Sequence, residues 1–128
     1  MPFIEVSFDE RMFEEEKFIE QYQIPRIALI DEIIFAVAEN LSFAMEDGTR
    51  NHVVPEDFSV RVYEIDSDAG ERQAKDVEIK IEAIGFPDRM ANRQGKSHSI
   101  REYLEGNFPG ITFGVWLDLK PDAVWSSD

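Results

Sequence analysis

Few side chains in this sequence stand where they could do chemistry, and the most unusual is Pro2, directly behind Met1. At the first residue of a strand a proline is tolerated, because its missing N–H need not join the ladder. Removal of Met1 gives a second possibility. Position 2 then carries a free secondary amine, a base that no other residue supplies. An unperturbed α-amino group titrates at about 7.7–8.0. A nearby cation and partial burial both disfavour its protonated form, which brings it into the range of a general base at neutral pH.

Arginines are the natural partners of such a base, because a guanidinium grips a carboxylate with two parallel hydrogen bonds. Arg61 lies between Val60 and Val62, on the opposite face from the apolar residues of its strand. A strand arginine is ordinarily solvated or salt-bridged; on a covered sheet face it becomes a carboxylate clamp. Arg11 closely follows the first strand, and Arg89 takes the corresponding place after the third. Each is either a loop arginine in water or a cation at the mouth of a pocket near the amino terminus.

Other chemistry is scarce. His52 and His98 form neither an HxH nor an HxxxH pair, so both read as solvent-exposed and no metal ligand set is expected. The run EEEKFIE reads as a solvated helix face. Trp125 is either a packing residue or a pocket wall. There is no Ser/His/Asp arrangement to pick out and no glycine-rich phosphate loop. The chain has no cysteine, so disulfides, thiol catalysis and thiolate metal sites are excluded.

The 128 residues make one domain by size, with enough apolar content (43%, 12% aromatic) for a real core. A net charge of −14, from 27 acids against 13 Lys and Arg, argues against nucleic acid, which demands a basic stripe. A small anion can still bind where a few cations locally override the field. The residues after Met1 are acidic rather than a basic head with an apolar run, so no signal peptide is expected. The longest apolar segment, IALIDEIIFAVA, is broken by charges and too short to span a bilayer. A cytoplasmic protein without a membrane partner is the expectation.

Positioning these residues falls to a simple series of elements. FIEVSF alternates, with Ile4, Val6 and Phe8 on one face, as a half-buried strand does. DERMFEEEKFIEQYQ is polar and can begin a helix. Pro25 suits the first turn of a stronger one, striped by Ile27, Ile30, Ile34, Val37 and Leu41, extended by Met45 and ended by Asp47-Gly48. FSVRVYEI and VEIKIEAIGF are the second and third strands, joined by a polar connection. A weaker helix is expected from about Asp88 to Glu105, with Ile100, Leu104 and Phe108 as its buried edge. ITFGVWLDL is the last strand, stopped by Pro121 before a tail that holds Trp125.

The order is β-α-β twice, which reads as an internal repeat of about 55 residues, covering roughly residues 1–66 and 76–120. Parallel pairing within each half gives an α+β sandwich of four strands with two helices on one face. Arg61, Tyr63, Lys80 and Trp116 share the other face with Glu5, Ser7 and Thr112. A large aromatic residue on such a mixed face needs a partner to cover it, so an oligomer is expected.

Taken together, Met-Pro before a short apolar strand and SVRV on the second strand resemble the tautomerase superfamily. Its members include 4-oxalocrotonate tautomerase, 5-carboxymethyl-2-hydroxymuconate isomerase and macrophage migration inhibitory factor. The chain looks like the kind with two β-α-β units, and GFPDRMANRQ and the tail with Trp125 are loosely similar to later parts of the longer members. The resemblance implies a homotrimer with inward-facing sheets and a Pro2 general base. It further implies Arg61 as the group that binds and polarises a small unsaturated keto- or hydroxy-carboxylic acid, with Arg11 and Trp125 at the substrate and no metal or cofactor. Arg11 sits one place off the family position, and the insert from Phe13 to Gln23 is longer than short members need. Two alternatives stand beside the tautomerase. One is a hydratase or dehalogenase, with Glu82 or Tyr103 activating water; the other is a non-catalytic trimeric binding or structural protein of the same fold.

Overall fold

The computed structural model describes residues 3–9, 14–41, 43–44, 50–51, 55–66, 69–84 and 93–120. Its centre is β1 (Phe3–Asp9), whose residues alternate between buried and half-buried because Ile4, Val6 and Phe8 all face one way. Two helices follow, α1 (Glu15–Tyr22) and α2 (Arg26–Leu41). Two short strands, β2 (Phe43–Ala44) and β3 (Arg50–Asn51), pair antiparallel, and a 3-10 turn (Pro55–Asp57) leads into β4 (Ser59–Ile65). Then come β5 (Val77–Ile84), α3 (Arg93–Asn107) and β6 (Phe113–Lys120).

The four long strands form one mixed sheet in the order β4-β1-β5-β6. β1 runs parallel to β4 and β5 runs parallel to β6, as the two β-α-β halves require, and the halves meet through the antiparallel pair β1/β5. One face of this sheet and the inner faces of the helices make the core: Ile4, Val6, Val77, Ile79, Ile81 and Phe113 from strands, Phe18, Leu29, Ile33, Leu41, Ile100 and Leu104 from helices. The expected α+β arrangement of helices on a four-stranded sheet is therefore present, with three α-helices among the described residues rather than the two expected.

The added helix is the acidic insert itself. Only Phe18 of α1 is buried, and it is enough. Phe18, Tyr22 and Phe108 form a ring cluster with centroids 4.9, 5.6 and 6.2 Å apart, a spacing at which aromatic pairs attract. The Tyr22 hydroxyl donates to the Pro109 carbonyl at 2.8 Å. Thus EEEKFIE is not wholly a solvated face. α1 is capped at Gln23, which adopts a left-handed backbone (φ 61°) and donates its N–H to the Ile19 carbonyl at 2.7 Å.

Helix α2 is turned relative to the expected stripe. Leu29, Ile33, Ala36, Val37, Ala38 and Leu41 are buried, Ile30 and Ile34 are partly so, and Ile27 is 67% exposed. The reason is physical: RIALIDEIIFAVAENL is apolar over most of its circumference, so periodicity alone does not select the inner face. The helix ends at Leu41; Met45, Asp47 and Gly48 lie outside the described residues. Ile100 and Leu104 are the buried edge of α3 and Phe108 follows just past its end, all three buried as expected; Asp88, where the helix was expected to start, lies outside the described residues.

A reciprocal pair of hydrogen bonds aligns β5 with β6. The Asp76 N–H donates to Thr112 Oγ1 at 3.0 Å, and the Thr112 N–H donates to Asp76 Oδ2 at 2.9 Å. The first ladder bond, Val77 N–H to the Thr112 carbonyl, follows at once. Gln73 completes the corner by donating to the carbonyls of Ser7 and Asp76.

Candidate functional site

Three rows of side chains cross the sheet face away from the helices. Cα pairing sets them as Ser59–Phe3–Glu82–Asp118, Arg61–Glu5–Lys80–Trp116 and Tyr63–Ser7–Glu78–Gly114. The middle row alternates in charge before ending on an indole. Opposite charges facing each other across neighbouring strands support the register.

Arg61 lies in this face, as its position between two valines predicted. Its guanidinium carbon sits 5.6 Å from the centre of the Phe3 ring, within range of a cation–π contact. No carboxylate is bonded to Arg61 among the described residues. The parallel pairing of Phe3 with Ser59 brings the starts of β1 and β4 to the same end of the sheet. Arg61 thus gathers beside the residue that follows Pro2 in the chain. Pro2, Arg11 and Trp125, like Arg89 and His52, fall outside the described residues.

The core side of β4 departs from expectation. Val62 was expected to face the core with Phe58 and Val60, yet it is 48% exposed. β4 is an edge strand, and its burial pattern shows only Val60 and Ile65 half-covered. Val60 packs partly against the core, whereas Val62 on the same face and Arg61 and Tyr63 on the other are open in the single chain.

Trp116, at 70% exposed, is the barest large apolar side chain among the described residues. It borders an open depression of about 560 Å³ lined by Glu5, Ser7, Lys75, Glu78, Lys80 and Gly114. Neither Phe3 nor Arg61 lines this depression. The hollow and the arginine thus occupy two different parts of one face. Lys80 bonds Glu82 across 3.3 Å on the same strand.

The two residues considered for water activation part company. Glu82 is half-buried on the sheet face, paired by register with Phe3. Tyr103 belongs to the helical layer on the other side of the sheet. Its hydroxyl donates to Glu32 Oε2 at 2.6 Å, and this bond, with burial, raises its pKa above the ordinary tyrosine value. It cannot serve a substrate at Arg61. His98 is exposed as expected, but it is not isolated: Nδ1 meets Arg101 Nη2 at 2.8 Å and Nε2 meets Glu102 Oε1 at 2.8 Å.

The arrangement missed in the sequence is a second cluster of cations, Lys75 and Arg101, beside His98 at the β6 edge. Lys75 and Arg101 are far apart in the chain and share no motif, so only the packing of α3 on β6 brings them together. No helix of the described residues is long and apolar enough to cross a membrane. Comparison with protein-family models and with curated proteins finds no match to this chain.

Proposed function

We propose that the protein is a proline-based tautomerase acting on a small unsaturated keto- or hydroxy-carboxylic acid. The observation that carries this reading is Arg61 stacked on Phe3, at the end of the sheet where β1 begins. Pro2 is one peptide bond from Phe3 in the chain, so a guanidinium free of carboxylate partners among the described residues lies on the residue that follows the proposed base. The topology, with two parallel pairs joined through an antiparallel centre, is compatible with the two-unit members of the tautomerase superfamily.

In the proposed reaction the Pro2 amine takes a proton from an enol or activated carbon and returns it at another carbon. Bond order shifts along the conjugated system, with no net oxidation and nothing added or lost. Arg61 holds the substrate carboxylate or the oxygen on which enolate charge develops. Such fixed donors act most strongly where water is excluded. Arg11 and Trp125 are proposed as substrate contacts. A homotrimer that joins sheet faces would cover Trp116 and the outward face of β4.

This reading requires a free Pro2 amine. Intact mass of the protein purified from its natural source tests it: a main species lacking Met1 is expected, and retained methionine excludes proline catalysis.

A second reading, a non-catalytic trimeric binding protein, is favoured by one observation. The depression beside Trp116 is lined by neither Arg61 nor Phe3, so a ligand could occupy this face without meeting Pro2. A hydratase or dehalogenase activity would have to rely on Glu82, since Tyr103 is committed to Glu32 on the helical side.

A further inference from the structure

The edge of the sheet at the start of β6 carries a second arrangement, separate from the amino-terminal end. A cavity of about 370 Å³ opens between β6 and the first turns of α3, lined by Lys75, Gln94, Ser97, His98 and Arg101 over a floor that includes Gly114. Gly114 is aligned with Glu78, and Phe3 with Glu82. Four residues of β5 put the two places about 13 Å apart along the strand.

Its lining is unusual for this chain. Among the described residues no carboxylate lines the cavity, although the sequence has about twice as many acids as bases, 27 against 13. Several other cations find acids, Lys17 with Glu14, Arg26 with Glu15 and Glu64, Lys80 with Glu82, while Arg61 and Arg72 have no carboxylate partner among the described residues. Lys75 and Arg101 have no carboxylate partner among the described residues. Glu102, next to Arg101 in the chain, is engaged with His98 Nε2. Glu78, which points to the neighbouring depression, accepts from the backbone N–H groups of Ala74 and Lys75.

Arg101 is held in place rather than swinging in solvent. Its Nη2 is fixed on His98 Nδ1, which Glu102 steadies in turn through Nε2. Its Nε is buried with no hydrogen-bond partner among the described residues. A charged donor left so is costly unless a ligand satisfies it. Lys75 is positioned by close approach: its stem lies over Gly114, where an added Cβ would come within 3.3 Å of Lys75 Cγ. Ser97 and Gln94 add neutral donors on the first turns of α3, where the helix dipole also favours negative charge.

We propose that this cavity binds a small oxyanion, a phosphate or carboxylate group, gripped by Arg101 and Lys75 with Ser97 and Gln94 as neutral donors. The site does not depend on Pro2 or on the tautomerase reading. The cations override the acidic field locally, as an anion site in a protein of this charge requires.

The test is titration of the full chain with inorganic phosphate and, separately, with succinate, at ionic strength held constant with sodium chloride, followed by amide chemical shifts. Saturable shifts at residues 94–101 and 113–115 with at least one probe are expected, and the probe that saturates names the oxyanion class. R101Q should weaken binding about tenfold or more, as the loss of a charge-assisted hydrogen bond does, and K75Q should weaken it as well. Binding should persist in P2A. K75Q, an exposed substitution, carries the test if R101Q does not fold. Linear drift with both probes, or unchanged affinity in the folded variants, would overturn the proposal.

Discussion

The guanidinium of Arg61 lies 5.6 Å from the ring centre of Phe3, across the parallel pair β1/β4. Arg61 is thereby oriented along the sheet toward the amino-terminal end, and Glu5, its partner in register, makes no ion pair with it. Replacing Arg61 by Ala should lower kcat/KM for a small enol acid by about a hundredfold or more, in line with loss of a positioned charge donor. Stability should change little, since the side chain is exposed. Steady-state kinetics beside thermal melts separates the two effects.

The orientation of α2 is open to a paired test. Ile33 is fully buried and Ile27 is 67% exposed. Ile33→Ala should cost about 2–5 kcal/mol, whereas Ile27→Ala should stay within about 0.5 kcal/mol. Urea denaturation of both variants reads this directly. A larger cost for Ile27→Ala than for Ile33→Ala would mean that the helix is turned the other way.

Gly110 adopts φ +93°, and an added Cβ would meet only ordinary contacts with Gln21 and Tyr22. The penalty of Gly110→Ala is therefore conformational, about 1–2 kcal/mol for a left-handed alanine. Thermal melts should show that loss without a change in far-ultraviolet circular dichroism.

Tyr103 gives a pH signature. Its hydrogen bond to Glu32, together with burial, raises its pKa in the folded chain. A raised pKa favours the protonated phenol, so the contribution is fully present below the unfolded value of about 10 and is lost as pH rises through the folded one. Tyr103→Phe should remove that part of the alkaline fall in stability, leaving the acidic limb unchanged. Denaturant midpoints measured from pH 7 upward check it.

Much of this architecture was legible in the sequence because strands announce themselves by alternation. Ile4, Val6 and Phe8, like Val77, Ile79 and Ile81, are buried where a two-residue period puts them. Ile100, Leu104 and Phe108 could be read from helical spacing for the same reason. The face of α2 could not, because apolar residues surround most of that helix. α1 was obscured by its charge, since a single buried residue, Phe18, anchors it. The exposure of Val62 follows from the place of β4 at the sheet edge, which depends on strand order rather than on local pattern. Arg61 was legible as a candidate from SVRV. The Lys75–Arg101 cluster was not, because three-dimensional packing alone assembles it.

Assembly can be followed through Trp116, whose 70% exposure in the single chain makes it a sensor. Under the trimer proposal, sedimentation should give three times the 14.8 kDa chain mass. Trp116→Arg should shift the population toward monomer, because it puts a charge in the joined face. A wild-type monomer at micromolar concentration would remove the trimer from the account.

The central claim is that Pro2 is the base. Its most direct test is kcat/KM for ketonisation of phenylenolpyruvate by protein shown by mass to lack Met1, compared with Pro2→Ala prepared the same way. Turnover by the first, and a loss of about a hundredfold or more in the second, is the predicted result, on the scale of a lost general base. Equal activity in the two proteins would contradict it.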